Sequence, residues 1–232
     1  MRRRRRDTLI LLVSSTVLGL AIGSLCAWAA GPTLGAFVAP LALLAPVIPQ
    51  LAGRHRNLAA GAGATGILCL AIVAAWCTTG GVDAADLLRA TLVLAGWTFL
   101  LWAVTAVLIR RPRPRRGILR AAAVTIAAWL WLGFPIWLGP TLAEHGRDVP
   151  VWLSTVHPLL AMNTAVIDLG IWTQQPIVYQ LTPLGQDVAY ALPRTIWPFV
   201  LLHVLVIAVI VVIRAVGGPA SSRAVGGVDV ER

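Results

Sequence analysis

The chain has 232 residues, 58% of them hydrophobic and 12% charged, with a formal net charge of +10. A soluble domain carries about 25% charged residues, so the composition argues against a soluble enzyme, a disordered chain and a nucleic-acid binder alike. Every basic residue is an arginine, and most stand in short runs between apolar stretches, the positive-inside signature of an integral membrane protein rather than a basic binding face.

Behind Arg2–Arg6, the first apolar run covers 8–30. That is longer than a signal-peptide core and long enough to span about 30 Å of hydrocarbon, so it reads as an uncleaved span; cleavage among the small residues near Ala27–Ala30 is the alternative. Five further spans follow at 34–52, 58–78, 87–109, 118–139 and 195–214. The expected fold is therefore an all-α, six-span membrane domain, with an extracytoplasmic or re-entrant segment at 140–194 and a flexible tail at 215–232. The arginine clusters at 2–6, 54–56 and 110–116, with Arg214 and Arg223, all fall on one side of these spans. Both termini are thus expected in the cytoplasm of a bacterial inner membrane.

Within the spans, Ser15, Gly19, Gly23 and Ala27 form a small-residue stripe on the first helix, and Gly31, Gly35 and Ala39 open the second. Such stripes let helix backbones approach closely, and the short GPTLG turn makes these two spans an antiparallel hairpin. Pro40, Pro46 and Pro49 should kink or break the second helix. Of the ten tryptophans, Trp129, Trp131, Trp137, Trp152, Trp172 and Trp197 lie in or near the outer half, as an interfacial aromatic belt would. An aromatic-lined ligand pocket is the other reading. Cys26, Cys69 and Cys77 have no metal-ligand or disulfide spacing and behave as small hydrophobes.

The segment between the last two spans is too long for a simple connection. VWLSTVHPLLAMNTAVIDLGIW is apolar but interrupted by His157, Pro158, Asn163 and Asp168, which suits a pair of re-entrant or interfacial helices. Proline at 158 can reset the helix direction, and Asn163 can satisfy a backbone group freed by that break. Glu144, Asp168 and Asp187 are vestibule or cation candidates, with ordinary solvated loop residues as the plainer reading. Trp172, Gln174, Gln175, Tyr179, Gln186, Asp187 and Tyr190 form a candidate ligand or partner loop; packing of the loop on itself is the plain alternative.

VPVWLSTVHPLLAMNTAV resembles the re-entrant region of ABC-2 type transporter permeases, which read proline, any residue, tryptophan or similar, leucine and, after a few residues, asparagine-proline-leucine. Pro150, Trp152, Leu153, Pro158 and Leu159 match, and His157 stands where the family has asparagine. The six spans, cytoplasmic termini and outer re-entrant helices match that family's layout as well. The resemblance implies a non-catalytic permease subunit, oligomeric and driven by a separate cytoplasmic ATP-binding subunit, with Pro150, Trp152, His157, Pro158, Asn163 and Asp168 at an outer gate. It implies no cofactor of the chain's own.

No Walker A, HExxH or GxSxG sequence is present. His203 is the only ionisable side chain deep within a span, and such groups either mark function or bond a neighbouring helix. His157 and His203 therefore keep open a second reading, a quinone- or haem-binding anchor of a redox complex. A third is an assembly factor that presents its outer loop to a partner. The spans hold no paired acids and bases of the kind used by ion-coupled transporters.

Overall fold

The computed structural model describes residues 2–30, 34–54, 58–78, 83–108, 114–134, 151–165 and 194–216. Every regular element among them is helical: α1 (Arg2–Ala30), α2 (Leu34–Arg54), α3 (Leu58–Cys77), α4 (Ala84–Leu108), α5 (Pro114–Leu132), α6 (Val151–Val156), α7 (Pro158–Ala165) and α8 (Trp197–Val216). Stretches within α1 (Asp7–Ala29), α3 (Ala59–Cys77) and α4 (Ala84–Leu108) are long and apolar enough to cross a membrane. Shorter apolar stretches run through α2, α5 and α8. Large apolar side chains point outward along α1 (Leu9, Val13, Val17, Leu25) and α8 (Leu201, Val204, Leu205, Val212), a surface that water would penalise and lipid would not.

Helix ends follow local chemistry. The helix of α1 already includes the arginine run from Arg2. Its neighbour in the charge pattern, α4, starts at Ala84 because Asp83 caps it: the Asp83 carbonyl accepts from the Leu87 N–H at 2.9 Å and its carboxylate from the Ala85 N–H at 3.4 Å. A turn follows α5 at Gly133, whose N–H bonds the Trp129 carbonyl at 2.8 Å, and residues 135–139 lie outside the described part.

The centre of the bundle is α4, which touches α2, α3, α5, α7 and α8. On α1, the face carrying Ser15, Gly19, Ile22, Gly23 and Cys26 is buried, and its glycines lie against α3. A Cβ on Gly19 would stand 2.7 Å from both the Ala71 Cβ and the Leu68 carbonyl oxygen; one on Gly23 would stand 2.6 Å from the Ala75 Cβ. The register rises together in both helices, so α1 and α3 run parallel. Ala27, expected on this stripe, is only partly buried.

Of the kink or break expected from its prolines, α2 shows no break from Leu34 to Arg54, because neighbours supply what the prolines remove. A proline lacks the N–H that would bond the carbonyl four residues earlier. Pro46 therefore orphans Ala42, and the Trp129 indole N–H donates to that carbonyl at 3.0 Å. In the same way Pro49 orphans Ala45, whose carbonyl accepts from the Thr125 hydroxyl at 3.3 Å. A third donor, the Trp97 indole, reaches the Leu41 carbonyl at 3.1 Å. Trp97 and Trp129 thus act as donors into α2, and for Trp129 this is a role the belt reading does not contain. Trp129→Phe should cost about 1–2 kcal/mol by stranding an acceptor. Pro46→Ala restores the missing N–H, so the same Trp129→Phe change should cost much less in that background. Thermal unfolding of the four proteins in one detergent checks this, and equal costs in both backgrounds would refute the pairing.

Candidate functional site

The expected outer site is described in part. Trp152, His157, Pro158 and Asn163 lie on or between α6 and α7. Pro150, Asp168, Trp172, Gln174, Gln175, Tyr179, Gln186, Asp187 and Tyr190 fall outside the described residues, as do Glu144 and Trp137.

His157 stands at the break between the two short helices and is fully buried. Its carbonyl accepts the first bond of α7, from the Ala161 N–H at 2.9 Å, which makes it the N-cap residue. Pro158 then occupies the first helical position, where its missing N–H costs nothing. The side chain turns the other way. Its Nε2 lies 2.8 Å from the Trp131 carbonyl, one of the acceptors that the end of α5 leaves without a helical donor. A carbonyl can only accept, so Nε2 carries the proton and Nδ1 is left as an acceptor; Nδ1 has no partner. Trp131 and Phe134 wall the imidazole, each with its ring centroid 5.4 Å away, and stack on one another at 5.8 Å. Burial in this apolar box pushes the imidazole down to about 4, and the Trp131 hydrogen bond opposes the shift.

One residue thus ties the α6–α7 break to the end of α5. Sequence reasoning named His157 but not its partners. Phe134 was missed altogether; its signal was the i, i+3 aromatic pair with Trp131 at the end of an apolar helix.

Packed against α4 and α2, α7 has little contact with solvent. Asn163 is buried on it, and its Oδ1 has no hydrogen-bond partner. Trp152 on α6 is exposed, as a belt residue would be.

On α8, His203 is buried and has separate surroundings from His157. Its Nδ1 donates to the Phe199 carbonyl at 2.8 Å, one turn earlier, and its ring stacks on Phe199 at 3.8 Å. Gly96 of α4 gives them room: a Cβ there would stand 3.1 Å from Phe199 and 3.5 Å from the His203 Cβ. Beside them an apolar groove of about 540 Å³ runs between α4 and α8, lined by Gly96, Phe99, Val200, Val204 and Ile207 among others. Among the described residues no three His, Cys, Asp or Glu side chains gather as metal ligands.

What the arrangement can do is mechanical before it is chemical. It holds a buried helix break in place by one neutral imidazole, with an unused acceptor on each side of Pro158. No family model, no curated protein and no solved structure matches this chain.

Proposed function

We propose that the chain is a six-span, non-catalytic membrane subunit of the ABC-2 permease kind, with α1–α5 and α8 as its spans, both termini in the cytoplasm, and a separate ATPase as its motor. In this reading α6 and α7 are the re-entrant pair that shapes the outer gate. One observation carries it: a helix pair broken at His157–Pro158, of which α7 is buried against α2 and α4 while α6 packs on α7 and α8, placed in the chain between α5 and α8. Irregular backbone at membrane depth is tolerated only where protein or a water-filled cavity shelters it. The apolar stretches of α2, α5 and α8 (Phe37–Leu51, Gly117–Leu132 and Trp197–Ile213) are shorter than those of α1, α3 and α4, and the reading takes them as spans because each is flanked by arginines on the side that the charge pattern makes cytoplasmic.

Two measurements test the proposal. Reporters at both termini and in the 110–116 segment should be cytoplasmic and one at Asp187 external; an external Arg113 would refute the six-span arrangement. Affinity purification in mild detergent should bring down an ATP-binding protein, and Pro158→Ala should reduce its substrate-stimulated ATPase several-fold while insertion stays intact. A stoichiometric Soret band lost on His157→Ala or His203→Ala would instead place the chain among redox subunits.

A further inference from the structure

Helix registers determine which helix ends share a side of the bundle. α1 and α3 run parallel, as the Gly19 and Gly23 contacts show. α3 runs against α4, since Gly61 meets Trp102 while Cys69 bonds Thr98 at 3.0 Å. α2 runs against α5, with Ala42 bonded to Trp129 and Ala45 to Thr125. Arg120, in the second turn of α5, donates to the Leu108 carbonyl at the end of α4. α8 runs with α4: Gly96 meets Phe199 and His203, and Ala103 and Ala106 share a cavity wall with Ile210.

The N-termini of α1, α3 and α5 and the C-termini of α2, α4 and α8 therefore lie at one end. That end carries Arg2–Arg6, Arg54, Arg115, Arg116, Arg120 and Arg214, and among the described residues Asp7 is its one acid. Asp83, Asp86, Arg89 and Arg194 occupy the opposite end, where Arg89 pairs with Asp86 at 2.8 Å.

The placement is unfavourable for the helices themselves. Five consecutive positions at 100° per residue go once round α1, so the positions of Arg5 and Arg6 fall one turn from that of Arg2, a spacing at which like charges destabilise a helix. They also lie at the positive end of the helix dipole, and the first turn contains no acid to offset them. An anion outside the helix would relieve both effects. Arg2–Arg6 occupy about 6 Å of helix axis immediately outside the apolar stretch that starts at Asp7. That is the depth of lipid phosphates, and the guanidinium fork matches phosphate oxygens bidentately.

We infer that the arginine-bearing end of the bundle is a binding surface for anionic phospholipid headgroups. The inference rests on α1 crossing a membrane and is independent of the permease reading.

The test uses the full chain in an uncharged detergent, with bound lipid read by native mass spectrometry against added phosphatidylglycerol or phosphatidylcholine. Phosphatidylglycerol should bind at least about tenfold more tightly, and the preference should shrink as salt rises from 0.1 to 0.5 M. Replacing Arg2–Arg6 by glutamine should remove about tenfold or more of that affinity. Because the first segment also directs insertion, the R115Q/R116Q variant provides a second arm and should lose affinity in the same direction. Equal binding of the two lipids, or an unchanged preference in both variants, overturns the inference. So does displacement of the lipid by millimolar inorganic phosphate, which would mark a free-anion site, or by an RNA oligonucleotide. A membrane fraction from which alkaline carbonate extracts the chain would refute the span of α1, and the lipid surface with it; failure to find an ATPase would leave the inference standing.

Discussion

Replacing Gly23 by leucine should remove most of the folded protein from a detergent extract, and Gly19→Leu should do the same. The α1–α3 contact has no room for a side chain at either position. A single Cβ would stand 2.6 Å from the Ala75 Cβ at Gly23, and 2.7 Å from backbone oxygen of Leu68 at Gly19. Backbone cannot yield as the end of a flexible side chain can, so the helices must separate. Alanine at either site should cost about 1–3 kcal/mol from overpacking, partly offset by its better helix propensity of about 1 kcal/mol. Leucine adds further atoms into the same contact and should exceed what a marginally stable domain tolerates. Gly63 of α3 is the control, because nothing lies within 4 Å of a Cβ built there. Gly63→Ala should be neutral or stabilising by about 0.5–1 kcal/mol. Thermal unfolding and the monodisperse fraction on size exclusion read all these variants. A Gly63→Ala protein as damaged as Gly23→Ala would mean that helix propensity, not close approach, governs these sites.

The second large effect is acid sensitivity through His157. Its imidazole is held at about 4 in the folded chain, below the ordinary value of about 6.5. Above pH 6.5 the ring is neutral in both folded and unfolded chains and contributes no slope. Between pH 6.5 and about 4 the unfolded chain takes up a proton that the folded chain refuses, so stability falls with pH. The loss is about 1.4 kcal/mol per unit and about 3 kcal/mol by pH 4. Nδ1 has no acceptor nearby to receive a second proton's hydrogen bond, and Trp131 and Phe134 offer only ring faces. His157→Gln should keep a donor for the Trp131 carbonyl and carry no titrating group. Its stability at pH 7.5 should lie within about 1 kcal/mol of the parent, and the difference between the two proteins should reverse in the glutamine variant's favour as pH falls. Parallel pH profiles for both would show that His157 does not carry the acid response.

How far the fold was legible depends on the range of the interactions involved. The arginine runs and apolar stretches are local properties, so the helical, membrane-compatible class could be read from composition along the chain. Asp83 as a helix start was similarly within reach, through the i, i+2 and i, i+4 bonds that it makes. The Ser15–Gly19–Gly23 stripe announced close packing but not its partner. A stripe of small residues fits any helix that presents a matching groove, and α3 was selected by packing across the bundle.

The candidate site divides in the same way. Pro158 as a helix start follows from proline's fixed φ and missing donor, whatever surrounds it. The role of His157 does not, since an imidazole before a proline could be a ligand, an acid or a brace. Its neighbour Trp131, 26 positions earlier in the chain, decides for a brace at Nε2. Asn163 is buried where α7 packs against α4 and α2, and the partnerless state of its Oδ1 is likewise set by that packing.

By itself, then, the sequence determined a membrane-compatible chain, all-helical in its described elements, and the helix termini that bear its charge, because hydropathy and charge act segment by segment. Only the tertiary structure decided that α1 packs on α3, that Trp129 and Thr125 complete the carbonyls opened by Pro46 and Pro49, and that His157 fastens the α6–α7 break to α5. Those outcomes join residues far apart in the chain, where a side chain's donor meets whichever orphaned acceptor the packing brings within 3.3 Å or less.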